Sequence, residues 1–235
     1  MNDILYVVMP AYNEEANIEK TVKEWYGVLD GKSDSSRLVV ADSGSTDSTH
    51  RILEGMQEKY PGLIILSDTL KQHGPKLIAL YKYAIENGAD YVFQTDSDGQ
   101  TNPNEFEAFW TERENREAIL GWRKQRGDGF GRLLVEKVLC AVVYIMFKVR
   151  IPDANAPFRL MKADVLKKYI ERFEPDYNLP NVMLAVFYKY YNHRLEFKQI
   201  SFENRKGGKN SINLVKIVSI GFKALVEFGR FADIM

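Results

Sequence analysis

One cysteine, Cys140, stands in a chain of 235 residues, so no internal disulfide framework can form and a thiolate zinc cluster is argued against. It sits in the apolar run 138–147 and reads as a buried, inert thiol. Long hydrophobic runs are missing too. A bilayer-spanning helix takes roughly 18–20 apolar residues; the run 138–147 is too short, and Lys216, Lys223, Glu227 and Arg230 interrupt the apolar tail. The first residues, MNDILYVVMPAYNEE, have neither a basic leader region nor a small-residue cleavage site. No signal peptide is read, and the expected compartment is the reducing cytoplasm. Net charge is absent as well, with 32 basic against 32 acidic residues. No global field draws the chain to nucleic acid, so any electrostatic function is local. There is no repeat of fixed period, no low-complexity tract and no Gly/Ser/Pro linker, and residues 1–235 read as one domain.

What is present is an alternation. Apolar, β-branched runs at residues 4–9, 38–41, 63–66 and 91–95 predict strands buried on both faces. Helical patterns lie between them at 14–29, 48–60 and 75–87, with Asp47 as N-cap of the second. This rhythm predicts an α/β fold, a mainly parallel twisted sheet flanked by helices. The second half is less regular. It reads as a weak strand at 118–120, a long helix at 131–149, a turn-rich segment at 151–157, a helix at 179–190, a strand at 195–201 and a terminal helix from Ile212.

Open α/β sheets bind ligands at the carboxyl ends of their strands. After the first strand comes Pro10-Ala11-Tyr12-Asn13-Glu14, after the second Asp42-Ser43-Gly44-Ser45-Thr46-Asp47, and after the fourth Asp96-Ser97-Asp98-Gly99-Gln100. Two carboxylates two residues apart, with a carboxamide two further on, offer hard oxygen ligands for Mg²⁺ or Mn²⁺. Such an ion bridges a diphosphate and neutralises a leaving group. The same residues also suit an ordinary strand-to-helix turn, with Asn102 capping the next helix and Pro103 at its first position. Their shared sheet edge is what favours a site: there the Asp42 carboxylate can accept a base N–H. Gly74-Pro75-Lys76 opens a helix whose N-terminus favours anions, with a lysine able to reach a phosphate.

These three motifs, in order over the first hundred residues, resemble the inverting glycosyltransferases of family 2, with the GT-A (Rossmann-like) fold. The resemblance implies that Pro10, Tyr12, Glu14, Asp42, Asp96 and Ser97 bind a UDP- or GDP-sugar, with Lys76 assisting. It also implies that Asp96, Asp98 and Gln100 hold the metal. The form Asp-x-Asp-x-Gln is similar to the subgroup that makes polyprenyl-phosphate sugars, such as the dolichol-phosphate mannose synthases. Gly121-Trp122-Arg123-Lys124-Gln125-Arg126-Gly127-Asp128, with Arg132 following, looks like that subgroup's arginine-bearing acceptor loop. Asp153 through Phe158-Arg159-Leu160 resembles its Asp...Phe-Arg segment, and Asn204-Arg205-Lys206-Gly207-Gly208-Lys209-Asn210-Ser211 its loop near the membrane.

The resemblance therefore implies a donor half at 1–101, an acceptor half at 102–210 and an amphipathic, membrane-interfacial tail at 211–235. Arg123, Arg132, Arg159 and Arg205 are the expected phosphate-orienting residues, since a planar guanidinium binds phosphate oxygens bidentately. Asp98, Arg123 and Arg159 are the expected catalytic set. The chain departs from the pattern at Pro157, where the subgroup has glycine, and at Asn181, where an acid is common. A phosphate acceptor is already anionic and needs no base, so the second departure favours a lipid phosphate. The expected partners are then a nucleotide-sugar, a lipid phosphate, and a membrane surface or membrane-protein partner at its cytoplasmic face. Two alternatives remain at this point: a transferase acting on a saccharide hydroxyl in cell-envelope polysaccharide assembly, with Asp153 or a neighbour as base, and a nucleotide-sugar-binding module without catalysis.

Overall fold

The computed structural model describes residues 3–123, 130–203 and 214–232. Among these, seven strands form one sheet: β1 (Leu5–Ala11), β2 (Arg37–Asp42), β3 (Leu63–Leu66), β4 (Tyr91–Thr95), β5 (Ala118–Trp122), β6 (Phe158–Lys162) and β7 (Leu195–Gln199). Their spatial order is β3-β2-β1-β4-β6-β5-β7. Strands β3, β2, β1 and β4 pair in parallel, as do β5 and β7, and β6 runs antiparallel to both β4 and β5. The helices are α1 (Ile18–Tyr26), α2 (Thr49–Gln57), α3 (His73–Glu86), the short α4 (Glu107–Trp110), α5 (Phe130–Phe147), α6 (Ala163–Ile170), α7 (Pro180–Tyr190) and α8 (Leu214–Ala232).

The sheet divides the core in two. Alternate residues of β1 point to opposite faces. Leu5, Val7 and Met9 pack with Val22 and Trp25 of α1, Leu53 of α2 and Phe109 of α4. Tyr6 and Val8 meet Leu77 and Tyr81 of α3, in a cluster that also takes in Leu166 of α6, Leu184 of α7, Val143 of α5 and Phe228 of α8. A fully covered parallel strand needs apolar residues on both sides, which is why β1 and β4 read as continuous apolar runs. At the edge, β3 buries only Leu63 fully, against the expectation of two buried faces.

Two elements escaped the sequence pattern. Strand β6 (FRLMK) carries Arg159 and Lys162, so no unbroken apolar run announces it, although it sits between β4 and β5. Helix α6 has only eight residues and follows β6 with no intervening loop. The other departures lie at element ends. Residues 14–17 form a turn before α1, the Glu14 carbonyl accepting from the Asn17 and Ile18 N–H groups. The N-cap of α2 is Ser48 and not the expected Asp47, which sits one residue earlier and whose carboxylate accepts from the Thr49 N–H at 3.0 Å.

Residues 177–178 close directly on Gly74 of α3. A Cβ there would lie 2.5 Å from the carbonyl oxygens of Tyr177 and Asn178, so the position admits no side chain. Elsewhere α5 and α8 lie together, with the Phe147 and Phe228 rings 6.0 Å apart.

Candidate functional site

The loops after β1, β2 and β4 share one edge of the sheet, as their parallel pairing requires. Asn13 turns the chain out of β1 with φ 53°, a left-handed conformation that asparagine tolerates better than most residues. Its Oδ1 accepts from the Thr46 N–H at 2.8 Å, and its own N–H donates to Ser45 Oγ at 3.0 Å. The β1 and β2 loops are thereby tied together. The buried Asp42 accepts from the Ser45 hydroxyl and lies 3.1 Å from His50 Nδ1. Ser97 donates to the Pro10 carbonyl at 2.8 Å, fixing the β4 loop to the β1 loop.

Two clefts open at this edge. The first, about 320 Å³, is lined by Pro10, Tyr12, Glu14, Lys76, Asp96, Ser97 and Asp98, together with Lys71 and His73. The second, about 440 Å³, is lined by Gln100, Arg123, Glu136 and Asn181, with apolar surface from Val135, Leu139, Leu179 and Phe202. His73, Asp96 and Asp98 line both. A shared acidic wall between two adjoining clefts is the geometry a group transfer needs. Tyr12 is 50% exposed in the first cleft, with the Lys76 ammonium 5.4 Å from its ring centre. Lys76 itself is buried and donates to the Ala11 carbonyl. Burial pulls its pKa down, and the Asp42 charge opposes that shift.

Asp98, Asp96 and Gln100 fit a hard divalent cation by their chemistry. Gly99, at φ 71°, lets the loop turn back so that Asp98 Oδ1 accepts from the Gln100 N–H at 3.2 Å. The Gln100 amide nitrogen donates to the Glu203 carbonyl at 2.6 Å, so its oxygen is the atom that could serve as a ligand. No cluster of three or more His, Cys, Asp or Glu side chains gathers among the described residues. Two carboxylates and a carboxamide, with phosphate oxygens completing the shell, are what Mg²⁺ uses instead of an all-protein cage.

The arginines divide. Arg123 reaches the second cleft, but its guanidinium forms a two-pronged pair with Asp153 at 2.7 and 2.8 Å and lies 3.6 Å from Glu136. Arg159 corrects the sequence reading. It is 0% exposed, and it donates to the carbonyls of Ala156, Asn181 and Ala154 at 2.8, 2.6 and 3.0 Å. A guanidinium engaged by three carbonyls inside the core does not reach a ligand phosphate; it braces the 154–156 turn against the start of α7. Burial lowers its pKa to about 10, so it stays charged at neutral pH. The Arg132 side chain and Arg205 lie outside the described residues.

Sequence reasoning missed His73 and Gln94. The half-exposed His73 ring lies with Nε2 3.3 Å from Asp96 Oδ1. Partial burial opposes its charge, but the hydrogen bond and charge of Asp96 outweigh this, and its pKa lies above the ordinary histidine value. Gln94, fully buried in β4, donates to the same Asp96 oxygen at 3.2 Å. A carboxamide inside the apolar run YVFQT was the available signal.

Residues 6–170 match the family model described as Glycosyl transferase family 2. The undecaprenyl-phosphate 4-deoxy-4-formamido-L-arabinose transferase of Shewanella sediminis is 22% identical over 229 residues, covering 96% of this chain and 66% of its own length. The undecaprenyl-phosphate mannosyltransferase of Micrococcus luteus is 24% identical, covering 68% of this chain and 67% of its own length. The chain thus spans about two thirds of the former relative. Among solved structures, glucosyl-3-phosphoglycerate synthase of Mycobacterium tuberculosis, crystallised with Mn²⁺, uridine-diphosphate-glucose and phosphoglyceric acid, superposes with a TM-score of 0.70. It is 19% identical and covers 97% of this chain and 79% of its own, so the likeness is one of fold.

Proposed function

The chain belongs to glycosyl transferase family 2, and from that premise we propose that it moves a sugar from a nucleotide-sugar to a polyprenyl phosphate, inverting the anomeric carbon. An oxygen of the lipid phosphate attacks that carbon, and the bond to the nucleoside diphosphate breaks, the leaving group keeping the electron pair. The observation that carries this reading is the pair of clefts sharing Asp96 and Asp98, one with an exposed Tyr12 and the buried Lys76, the other adding Val135, Leu139, Leu179 and Phe202. The names of the undecaprenyl-phosphate transferases, whose substrates have a phosphate head on an apolar chain, support the choice of acceptor.

Each residue then has a task. Tyr12 stacks on the base, Asp42 and Glu14 serve the nucleoside, and Lys76, at the base of the first cleft, stabilises the diphosphate. Mg²⁺ or Mn²⁺ held by Asp96, Asp98 and Gln100 supplies Lewis-acid neutralisation of the departing diphosphate when bound. Arg123, Arg132 and Arg205 orient the acceptor phosphate. Preorganised charge contributes most of the acceleration.

The same reading sets the protein against a membrane surface or a membrane-protein partner at the cytoplasmic face. No helix among the described residues is long and apolar enough to cross a membrane. Tyr144 and Ile145 on α5 are exposed, as are Leu225 and Val226 on α8, and Ile145 and Val226 are 64% and 57% exposed. Lys148 and Arg150 lie 5.9 and 5.1 Å from the Tyr144 ring, bringing cations to this surface. Aromatic, aliphatic and basic groups together suit an anionic interface.

The test is incubation of the purified protein with polyprenyl phosphate and a panel of labelled sugar nucleotides in Mn²⁺. The expected result is label extracted into organic solvent; label appearing only in aqueous products overturns the acceptor. One observation favours a second reading, transfer to a saccharide hydroxyl. Asp153, the base expected for it, is held by Arg123, but Glu136 lines the second cleft. Loss of all transfer in Glu136→Gln, with aqueous products in the parent protein, would establish that reading.

A further inference from the structure

A chain of hydrogen bonds runs through the buried side of the site. Asp96 Oδ1 accepts from Gln94 Nε2 at 3.2 Å, Gln94 Oε1 accepts from Asn181 Nδ2 at 3.0 Å, and Asn181 Oδ1 accepts from the Tyr81 hydroxyl at 2.7 Å. Gln94, Asn181 and Tyr81 are all buried, and they belong to β4, α7 and α3. Arg159 anchors the third link by donating to the Asn181 backbone carbonyl at 2.6 Å.

The polarity of this chain is dictated from one end. An ionised carboxylate can only accept, so Gln94 must turn its NH₂ towards Asp96. Its oxygen then faces Asn181, which must in turn present NH₂, and Tyr81 must donate. Burial raises the Tyr81 pKa and keeps the hydroxyl protonated for that role. The same Asp96 oxygen takes a second donor, His73 Nε2 at 3.3 Å, from the surface side.

We propose that Gln94 and Asn181 are positioning residues: with His73 they clamp one oxygen of Asp96 and thereby orient its carboxylate at the wall shared by the two clefts. The proposal rests on the transferase reading for the use of that carboxylate, and on geometry alone for the clamp. It also gives Asn181 a reason to be asparagine. An aspartate there has no NH₂ for Gln94; Gln94 would flip to donate to it and turn its own oxygen onto Asp96 Oδ1. Two acceptors would then face each other, and the carboxylate would be pushed off its position.

Asn181→Asp, nearly isosteric, is the first test, and His73→Ala, a change at a half-exposed ring, is the variant that leaves the fold intact. His73→Gln restores a donor. Three readouts are taken: the rotamer of Asp96 in crystal structures, the affinity for Mn²⁺ with UDP or GDP by electron paramagnetic resonance, and kcat against KM for the acceptor. Loss of a charge-assisted donor corresponds to roughly 10- to 100-fold. The expected result is a displaced Asp96 in Asn181→Asp, with metal–nucleotide affinity and kcat falling by about that factor. The acceptor KM stays within about threefold, with a smaller loss in His73→Ala and recovery in His73→Gln. An unmoved Asp96 with unchanged affinity overturns the clamp, and so does a rise confined to the acceptor KM, which would mean that Asn181 touches the acceptor directly. If the parent protein binds no metal–nucleotide at all, the transferase reading fails, while the rotamer comparison still decides the clamp.

Discussion

The two clefts are built on opposite plans. In the first, Tyr12, Asp96 and Asp98 present surface from loops whose backbones are tied together by Asn13, Ser45, Thr46 and Ser97, while Lys76 lies buried beneath them. Behind the second, whose lining includes Arg123, the charges of Arg123, Asp153 and Arg159 are buried, Arg123 pairing with Asp153 and Arg159 with backbone carbonyls. Outward groups on a fixed backbone can bind ligands at little structural cost, whereas buried pairs chiefly hold the protein in shape. A substitution at an outward group such as Tyr12 or Asp98 should therefore change chemistry without changing stability, and one in the buried charge cluster behind the second cleft should do the reverse.

The largest effect is expected at Asp98. Replacing it by Ala should lower turnover by about 10²–10³, the scale of a lost electrostatic stabiliser. The loop carboxylate is no part of the core, so unfolding in urea should shift by no more than about 0.5 kcal/mol. A binding module without catalysis would show altered nucleotide affinity and no turnover in the parent either. Behind the second cleft, Asp153→Ala leaves the buried Arg123 without its main partner, and should cost about 3–5 kcal/mol in the same urea titration. Replacing both partners with apolar residues of similar volume should recover most of that loss. If Asp153→Ala instead left stability intact and abolished transfer, the contrast between the clefts would be broken.

Smaller effects refine the picture. Tyr12→Ala removes an exposed stacking surface; base–aromatic stacking is worth about 1–3 kcal/mol, so the donor KM should rise by roughly 5- to 150-fold with kcat and stability nearly unchanged. Cys140 gives the mildest test. Desolvation, with the Glu136 charge next, raises its pKa from 9.0 to about 11. A raised thiol pKa means less thiolate at any pH below it, so labelling of the native protein at pH 8 should run about 100-fold slower than in the unfolded chain, and should quicken about tenfold per pH unit. Labelling at the unfolded rate would show that this helix does not shield the thiol.

The first hundred residues were legible in the sequence because their signals are local. Strands β3 and β4 coincide with their apolar runs, and the loop motifs fall where parallel strands end. The remainder was less so, since its residues act through partners far along the chain. Arg159 reads as a ligand arginine until its three carbonyls, two on the 154–156 turn and one on α7, are seen around it. The apolar residues of strand β6, Phe158, Leu160 and Met161, are broken by Arg159, and nothing local announces that it completes the sheet. Gln94 and Asn181 are 87 residues apart, and no local pattern joins them.

At Gly74 the two halves touch backbone to backbone, with no room for a side chain between α3 and residues 177–178. The halves are therefore not interchangeable modules. A chimera that takes its first hundred residues from one relative and the remainder from another inherits a seam that must match to a fraction of an ångström. Donor and acceptor preferences would then be exchanged by altering individual side chains along the cleft walls, not by recombining whole segments.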